Sequence, residues 1–136
     1  MKKFKTIFLV TLIINVLAVL PLFLMPLMPS IKEELIYSQF EGMADNALAN
    51  EIWDLFNSVV AFMAASILVV NAMGVKSKSL ESARTTALIL LVLLIGFTLP
   101  DWLNFFQGAG HPPLLIMVLN LIPLFLLEYG RRNAEL

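Results

Sequence analysis

Two carboxylates and two amides open the second apolar run of the chain. On a helix with about 100° between residues, one arc of roughly 120° holds most of them together with small residues. These polar residues are Asn50, Asp54, Asn57 and Ser58, with Glu51 at the edge of the arc. Paired carboxylates in an apolar setting can share a proton, which is the arrangement that a general acid/base or a proton relay uses.

A second polar group ends the third apolar run and continues into the loop behind it. Asp101 and Asn104 lie near the end of that run, and His111 follows in a Gly-His-Pro turn. Because successive spans cross a membrane in opposite directions, the start of the second run and the end of the third lie on the same side. We therefore expect one outward-opening cavity lined by acids, amides, one imidazole and aromatic rings.

Two sets of candidate residues belong to this cavity. The candidates for catalysis are Asp54, Asp101, Glu51 and His111. The candidates for ligand binding are Asp54, Asn57, Asp101, Asn104, Trp53, Trp102 and Phe105. Each type also has a structural interpretation: acids favour a helix N-terminus through its dipole, tryptophans anchor at a membrane interface, and a histidine before prolines suits a turn.

Several kinds of site receive little or no support. A hard metal ion held by the four catalytic candidates is a weak alternative, because the chain has one histidine and no ligand motif. No cofactor is indicated, and there is no phosphate-binding loop, nucleophile elbow or basic stripe for nucleic acid. The chain has no cysteine, which excludes disulfides and thiol chemistry.

The composition is typical of a membrane protein with several spans. Of the 136 residues 60% are hydrophobic and only 14% are charged, with a mean hydropathy of +0.88. Soluble domains average about 25% charged residues. Four apolar runs are long enough to cross a bilayer, at about residues 6–28, 48–73, 85–106 and 113–129. We predict a single-domain, all-α bundle of four up-down transmembrane helices.

The first span contains two features that bear on helix packing. Pro21, Pro26 and Pro29 lie towards its far end, where each removes a backbone donor, so the last turns should be kinked or unwound. Asn15 lies near the middle of the span. An interhelical hydrogen bond is the expected role for an amide at that depth.

Caps and glycines predict the other helix ends. Ser30–Glu33 matches a capping box, which predicts a short interfacial helix between the first and second spans. Asp45 and Asn46 are candidate N-caps of the second span, and Gly74 is its predicted end. The glycines of residues 107–113 should end the third span.

The basic residues predict the orientation of the bundle. Eight of them fall on one side of the four-span arrangement: Lys2, Lys3, Lys5, Lys76, Lys78, Arg84, Arg131 and Arg132. Lys32 alone falls on the other side, together with most of the acids: Glu33, Glu34, Glu41, Asp45, Glu51, Asp54 and Asp101. By the positive-inside rule both termini are cytoplasmic, which suits a plasma or inner membrane.

The order of these features resembles that of small DoxX-like membrane proteins. The residues that carry the resemblance are Asn50-Glu51, Lys76 to Arg84, Asp101 to Asn104 and Gly110-His111-Pro112. The resemblance covers about residues 6–130 and implies a compact four-helix bundle. Some relatives are associated with quinone-linked oxidoreductase systems. Thiol-linked roles of other relatives do not carry over, because this chain lacks cysteine.

Three functions remain open at this point. The first is an accessory or ligand-binding membrane protein, with an outward-facing polar pocket for a small apolar or cationic molecule. The second is a membrane-embedded acid/base enzyme that acts on a lipid-like substrate, with Asp54 or Asp101 as the base. The third is a structural subunit whose polar face packs on another membrane protein or on a second copy of the chain.

The eight-to-one division of basic residues predicts a labelling pattern. The chain has no cysteine of its own, so single cysteines at Lys78 and near Gly110 can be labelled without background. A membrane-impermeant maleimide should reach these two positions from opposite faces of the membrane. Labelling of both positions from the same face would refute the four-span topology.

Overall fold

The computed structural model describes residues 3–40 and 42–136 and is an all-α bundle. Four helices are long and apolar enough to cross a membrane, as expected of an integral membrane protein. They are α1 (Phe4–Leu24), α3 (Ala47–Val75), α4 (Leu80–Gln107) and α5 (Leu114–Asn133). The predicted short helix between the first two spans is α2 (Pro29–Lys32), which continues into one π-helical turn (Glu33–Tyr37). Lys2 and Glu41, which enter the charge counts above, lie outside the described residues.

The four long helices form a closed ring in which each packs against two others. α1 contacts α3 and α5, and α4 contacts the same two helices. Short connections reverse the chain between α3 and α4 and between α4 and α5, which gives the predicted up-down bundle. We call the end with Lys3, residues 76–79 and Ala134 the terminal end. The opposite end, with the α1–α3 and α4–α5 connections, is the loop end.

A hydrophobic core fills the terminal end of the bundle. Phe4 and Phe8 of α1 are buried and stack with 5.6 Å between their ring centroids. Two glycines let the neighbouring helices approach α1 closely. A Cβ atom at Gly74 would lie 2.5 Å from Phe8 Cδ1, and one at Gly130 would lie 2.8 Å from Ile7 Cδ1. The remaining core residues are Ile67, Ala83, Ala87, Leu90, Leu91, Leu94, Leu127 and Ala134.

The outside of the bundle is covered by large apolar side chains. Every long helix exposes several of them, for example Leu17, Phe62, Val92 and Phe125. On a soluble protein, patches of this extent would cause aggregation. In a bilayer the same side chains contact lipid instead of water. The exposed surface therefore indicates a lipid environment.

Two of the predicted helix ends are confirmed in detail. Asn46, rather than Asp45, is the N-cap of α3, because its Oδ1 accepts a hydrogen bond from the Ala49 N–H at 3.0 Å. Gly108 ends α4 with a φ of 69°, a left-handed conformation that glycine adopts without steric cost. The glycine-rich turn therefore ends the third span as predicted.

Other helix boundaries differ from the predictions. α1 ends at Leu24 instead of near residue 28, because Pro26 cannot donate to the helix. The prediction of a capping box at Ser30 is wrong. α2 begins at Pro29, which suits a first helical position, and Ser30 lies inside the helix. Gly74 does not end α3, which continues to Val75, because this glycine serves close packing instead.

The close approach of α1 and α3 at Gly74 predicts the effect of adding one methyl group there. Gly74→Ala would press a Cβ atom into the Phe8 ring and should lower the free energy of unfolding by about 1–3 kcal/mol. Gly96→Ala is the matched control, because nothing lies within 4 Å of a Cβ atom at that helical position. Thermal unfolding in detergent compares the two variants. Equal melting temperatures would contradict the packing described here.

Candidate functional site

Asn57 supplies a hydrogen-bond donor to a backbone carbonyl at the end of α1, where Pro26 cannot supply one. In a continuing helix the Leu22 carbonyl would accept from the N–H of residue 26, but Pro26 has no N–H. Asn57 Nδ2 donates to the Leu22 carbonyl instead, at 3.2 Å, and the Asn57 side chain is buried. An unsatisfied carbonyl in hydrocarbon is costly. This hydrogen bond therefore fastens the end of α1 to α3.

Beyond α1 the chain turns and lays α2 and its π-helical turn beside the first turns of α3. Two side-chain hydrogen bonds hold the segment there. Lys32 Nζ donates to Asp54 Oδ1 at 2.6 Å, and Tyr37 Oη donates to Asn50 Oδ1 at 2.5 Å. Asn50 Nδ2 also donates to the Met43 carbonyl at 2.8 Å. Asn50 is thus an anchor for the loop, whereas Asp54 forms an ion pair.

A cleft of about 370 Å³ lies between this segment and α3. Three predicted site residues line it together: Trp53, Asp54 and Asn57. The other lining residues are Met25, Pro26, Pro29, Lys32 and Tyr37. The cleft combines an ion pair and an amide with aromatic and apolar walls.

The ion pair in the cleft is asymmetric in exposure. The Lys32 side chain is 14% exposed, whereas that of Asp54 is 66% exposed. Burial lowers the pKa of Lys32, but the hydrogen bond and charge of Asp54, together with Tyr37, raise it above the ordinary value of 10.5. A raised lysine pKa stabilises the fold below the unfolded value, and this stabilisation is lost as the pH rises through the folded value. The ion pair is therefore intact throughout the neutral range.

The other predicted site residues gather at the end of α4 and in the loop that follows. The Phe105 and His111 rings meet edge to face with centroids 5.1 Å apart, and Trp102 and Phe105 do so at 6.0 Å. Asp101 is half-buried in α4, and His111 follows in the loop behind that helix. The backbone N–H of His111 donates to Gln39 Oε1 at 2.8 Å, which ties this loop to the α1–α3 connection.

The candidate residues thus fall into two groups at the loop end. Asp54 is joined to Lys32, whereas Asp101 lies in α4 ahead of the loop that carries His111, and a cavity shared by the two carboxylates stays a prediction. Glu51 is exposed. The Asn104 carbonyl accepts from the Ala109 N–H at 2.9 Å, which helps to end α4.

Sequence reasoning did not identify Lys32 and Tyr37 as site residues. In the sequence, Lys32 is the one basic residue among the acids of the predicted outer side. This isolation was the only signal that Lys32 pairs with an acid. Its partner Asp54 lies 22 residues further along the chain. Local periodicity carries no information on such a contact, because it depends on how the chain turns after Pro26.

A buried amide cluster in the membrane-spanning part was also only partly anticipated. With the Asn71 amide oriented so that both of its polar atoms are satisfied, Asn15 Nδ2 donates to Asn71 Oδ1 at 3.1 Å, and Asn71 Nδ2 donates to the Phe8 carbonyl at 3.1 Å. Thr11 Oγ1 lies 3.1 Å from the Asn71 amide. In this orientation Asn15 makes the interhelical hydrogen bond predicted for it, with Asn71 on α3 as its partner.

The chain matches no known family model, no curated protein and no solved structure. Within residues 3–40 and 42–136, no three His, Asp or Glu side chains come together in a way that could hold a metal ion.

The role assigned to Asn57 predicts a coupling with Pro26. Asn57→Ala should destabilise the bundle, because the Leu22 carbonyl loses its donor. In a Pro26→Ala background, residue 26 regains an N–H that can donate to Leu22, so Asn57→Ala should cost less. The double-mutant cycle should give a coupling energy of about 1 kcal/mol. A coupling energy of zero in equilibrium unfolding would show that Asn57 does not replace the missing N–H.

Proposed function

We propose that this integral membrane protein binds a small apolar or cationic molecule in the loop-end cleft. The observation that carries the proposal is the Asn57 side chain. It lines the cleft and is 5% exposed, and its Oδ1 is buried with no hydrogen-bond partner among the described residues. A buried acceptor without a donor costs about 1–3 kcal/mol. A ligand that brings an N–H or O–H group would offset that cost.

The walls of the cleft support the same class of ligand. Trp53 offers an aromatic ring, and Met25, Pro26 and Pro29 offer apolar surface. Asp54 keeps most of its carboxylate accessible while it is paired with Lys32. An apolar body with a polar or positively charged head would therefore find complementary groups at both ends of the cleft.

We also propose the orientation and the family that the sequence indicates. The terminal end carries nearly all basic residues, so it would face the cytoplasm and the cleft would open on the opposite side. The order of features and the four-helix bundle are consistent with a DoxX-like protein. In this arrangement a ligand would enter from the outer surface or from the outer leaflet.

Native mass spectrometry of the protein extracted from its own membrane tests the proposed function. The wild type should retain a small molecule, and Trp53→Leu should lower the retained fraction by about tenfold, since it removes the largest ring in the cleft. Glu34→Gln is the matched control, because Glu34 is exposed and does not line the cleft.

Two results would contradict the proposed function. One is a wild-type protein that retains nothing and also binds neither octanol nor octylamine in neutral maltoside micelles. The other is retention that Trp53→Leu and Glu34→Gln leave equally unchanged. Circular dichroism of each variant establishes that the bundle is folded.

A further inference from the structure

We propose that the cleft selects molecules with an ammonium group on an apolar chain, and that the side chain of Lys32 is a tethered competitor for the same position. This inference rests on the proposed function and specifies its ligand class. Lys32 Nζ lies 2.6 Å from Asp54 Oδ1 and 5.6 Å from the centroid of the Tyr37 ring.

A carboxylate and an aromatic face are the groups by which proteins recognise ammonium ions. The carboxylate pairs with the charge, and the ring attracts it through its quadrupole within about 6 Å. Trp53 adds a second aromatic ring to the same cleft. The cleft therefore contains the groups that bind an ammonium ion, and in this structure the Lys32 side chain occupies them.

When Lys32 leaves this position, the hydrogen bond from Tyr37 to Asn50 still holds the segment beside α3. Its side chain is a flexible four-carbon stem, and its backbone belongs to a helix of four residues outside the four spans. An ion pair with one exposed partner contributes only about 0–1 kcal/mol. Asp54 is the more exposed partner, so an incoming ammonium can reach it from the mouth of the cleft.

The Asn57 amide, which lines the cleft, favours an ammonium that still carries hydrogens. Asn57 follows Asp54 by three residues in α3, so the two side chains lie on the same face of the helix, one turn apart. A primary ammonium has three N–H donors, of which one can pair with Asp54 and another can be directed to Asn57 Oδ1. A quaternary ammonium has none. Primary amines should therefore bind more tightly than quaternary ones of the same chain length.

Calorimetry in neutral maltoside micelles tests the inference with three probes: octylamine, octyltrimethylammonium and octanol. Lys32→Gln removes the competitor and should tighten octylamine binding by about fivefold, the equivalent of a weak ion pair. Lys78→Gln is the matched control, because it changes the net charge equally at the terminal end. Asp54→Asn should weaken octylamine binding by about tenfold and leave octanol binding unchanged. Lys32→Arg, which keeps the positive charge, should behave as the wild type does.

The outcomes separate this inference from the proposed function. If Lys32→Gln binds octylamine no better than Lys78→Gln, the competitor role is overturned, while continued octanol binding leaves the proposed function in place. Equal binding of octylamine, octyltrimethylammonium and octanol overturns the ammonium preference. Absence of binding by any probe to any variant overturns both.

Phosphatidylethanolamine distinguishes the two sources of such a ligand, because its headgroup carries the same primary ammonium. If this lipid, added to the micelles, displaces octylamine from the wild type, the ligand class is a lipid headgroup. If octylamine binds and the lipid does not displace it, the ligand class is a free amphiphilic amine. Both results support the selection of an ammonium group.

Discussion

The hydrogen bond from the Asn57 amide to the Leu22 carbonyl is the contact on which the loop end depends. Pro26 stops α1 and leaves that carbonyl without its helical donor. A buried carbonyl that loses its helical donor needs another one, and a neighbouring helix can supply it. Asn57 does so from α3, and the chain is then free to turn away from the bundle axis. Residues 25–28 make that turn, and Pro29 starts the next helix.

The position of the turn determines the chemistry of the loop end. It places Lys32 beside Asp54 and Tyr37 beside Asn50, and the space between these pairs is the cleft. The terminal end is built differently, because glycines bring the helices together and leave a core of apolar side chains. One end of the bundle is therefore a packed apolar core, and the other carries the polar side chains of the cleft.

The sequence predicted the elements well because the signals for them are local. Span length follows from hydropathy, and Asn46 and Gly108 act on the backbone of their own helices. Asn15 was predictable as a hydrogen-bonded amide because every polar group at that depth needs a partner. The pairing of Lys32 with Asp54, and the hydrogen bond from the His111 N–H to Gln39, depend on how the connections fold across the bundle. No local sequence pattern encodes such long-range contacts.

Solid-state NMR in bilayers measures the ion pair in the cleft most directly. With ¹⁵N at every lysine Nζ and ¹³C at every aspartate Cγ, one ion pair of this type is expected from the described residues, that of Lys32 with Asp54. We expect one strong dipolar coupling between these labels in ligand-free protein, and its disappearance in Asp54→Asn. A wild-type spectrum with no such coupling would show that Lys32 does not pair with Asp54, and it would contradict the geometry of the cleft and the ligand class proposed for it.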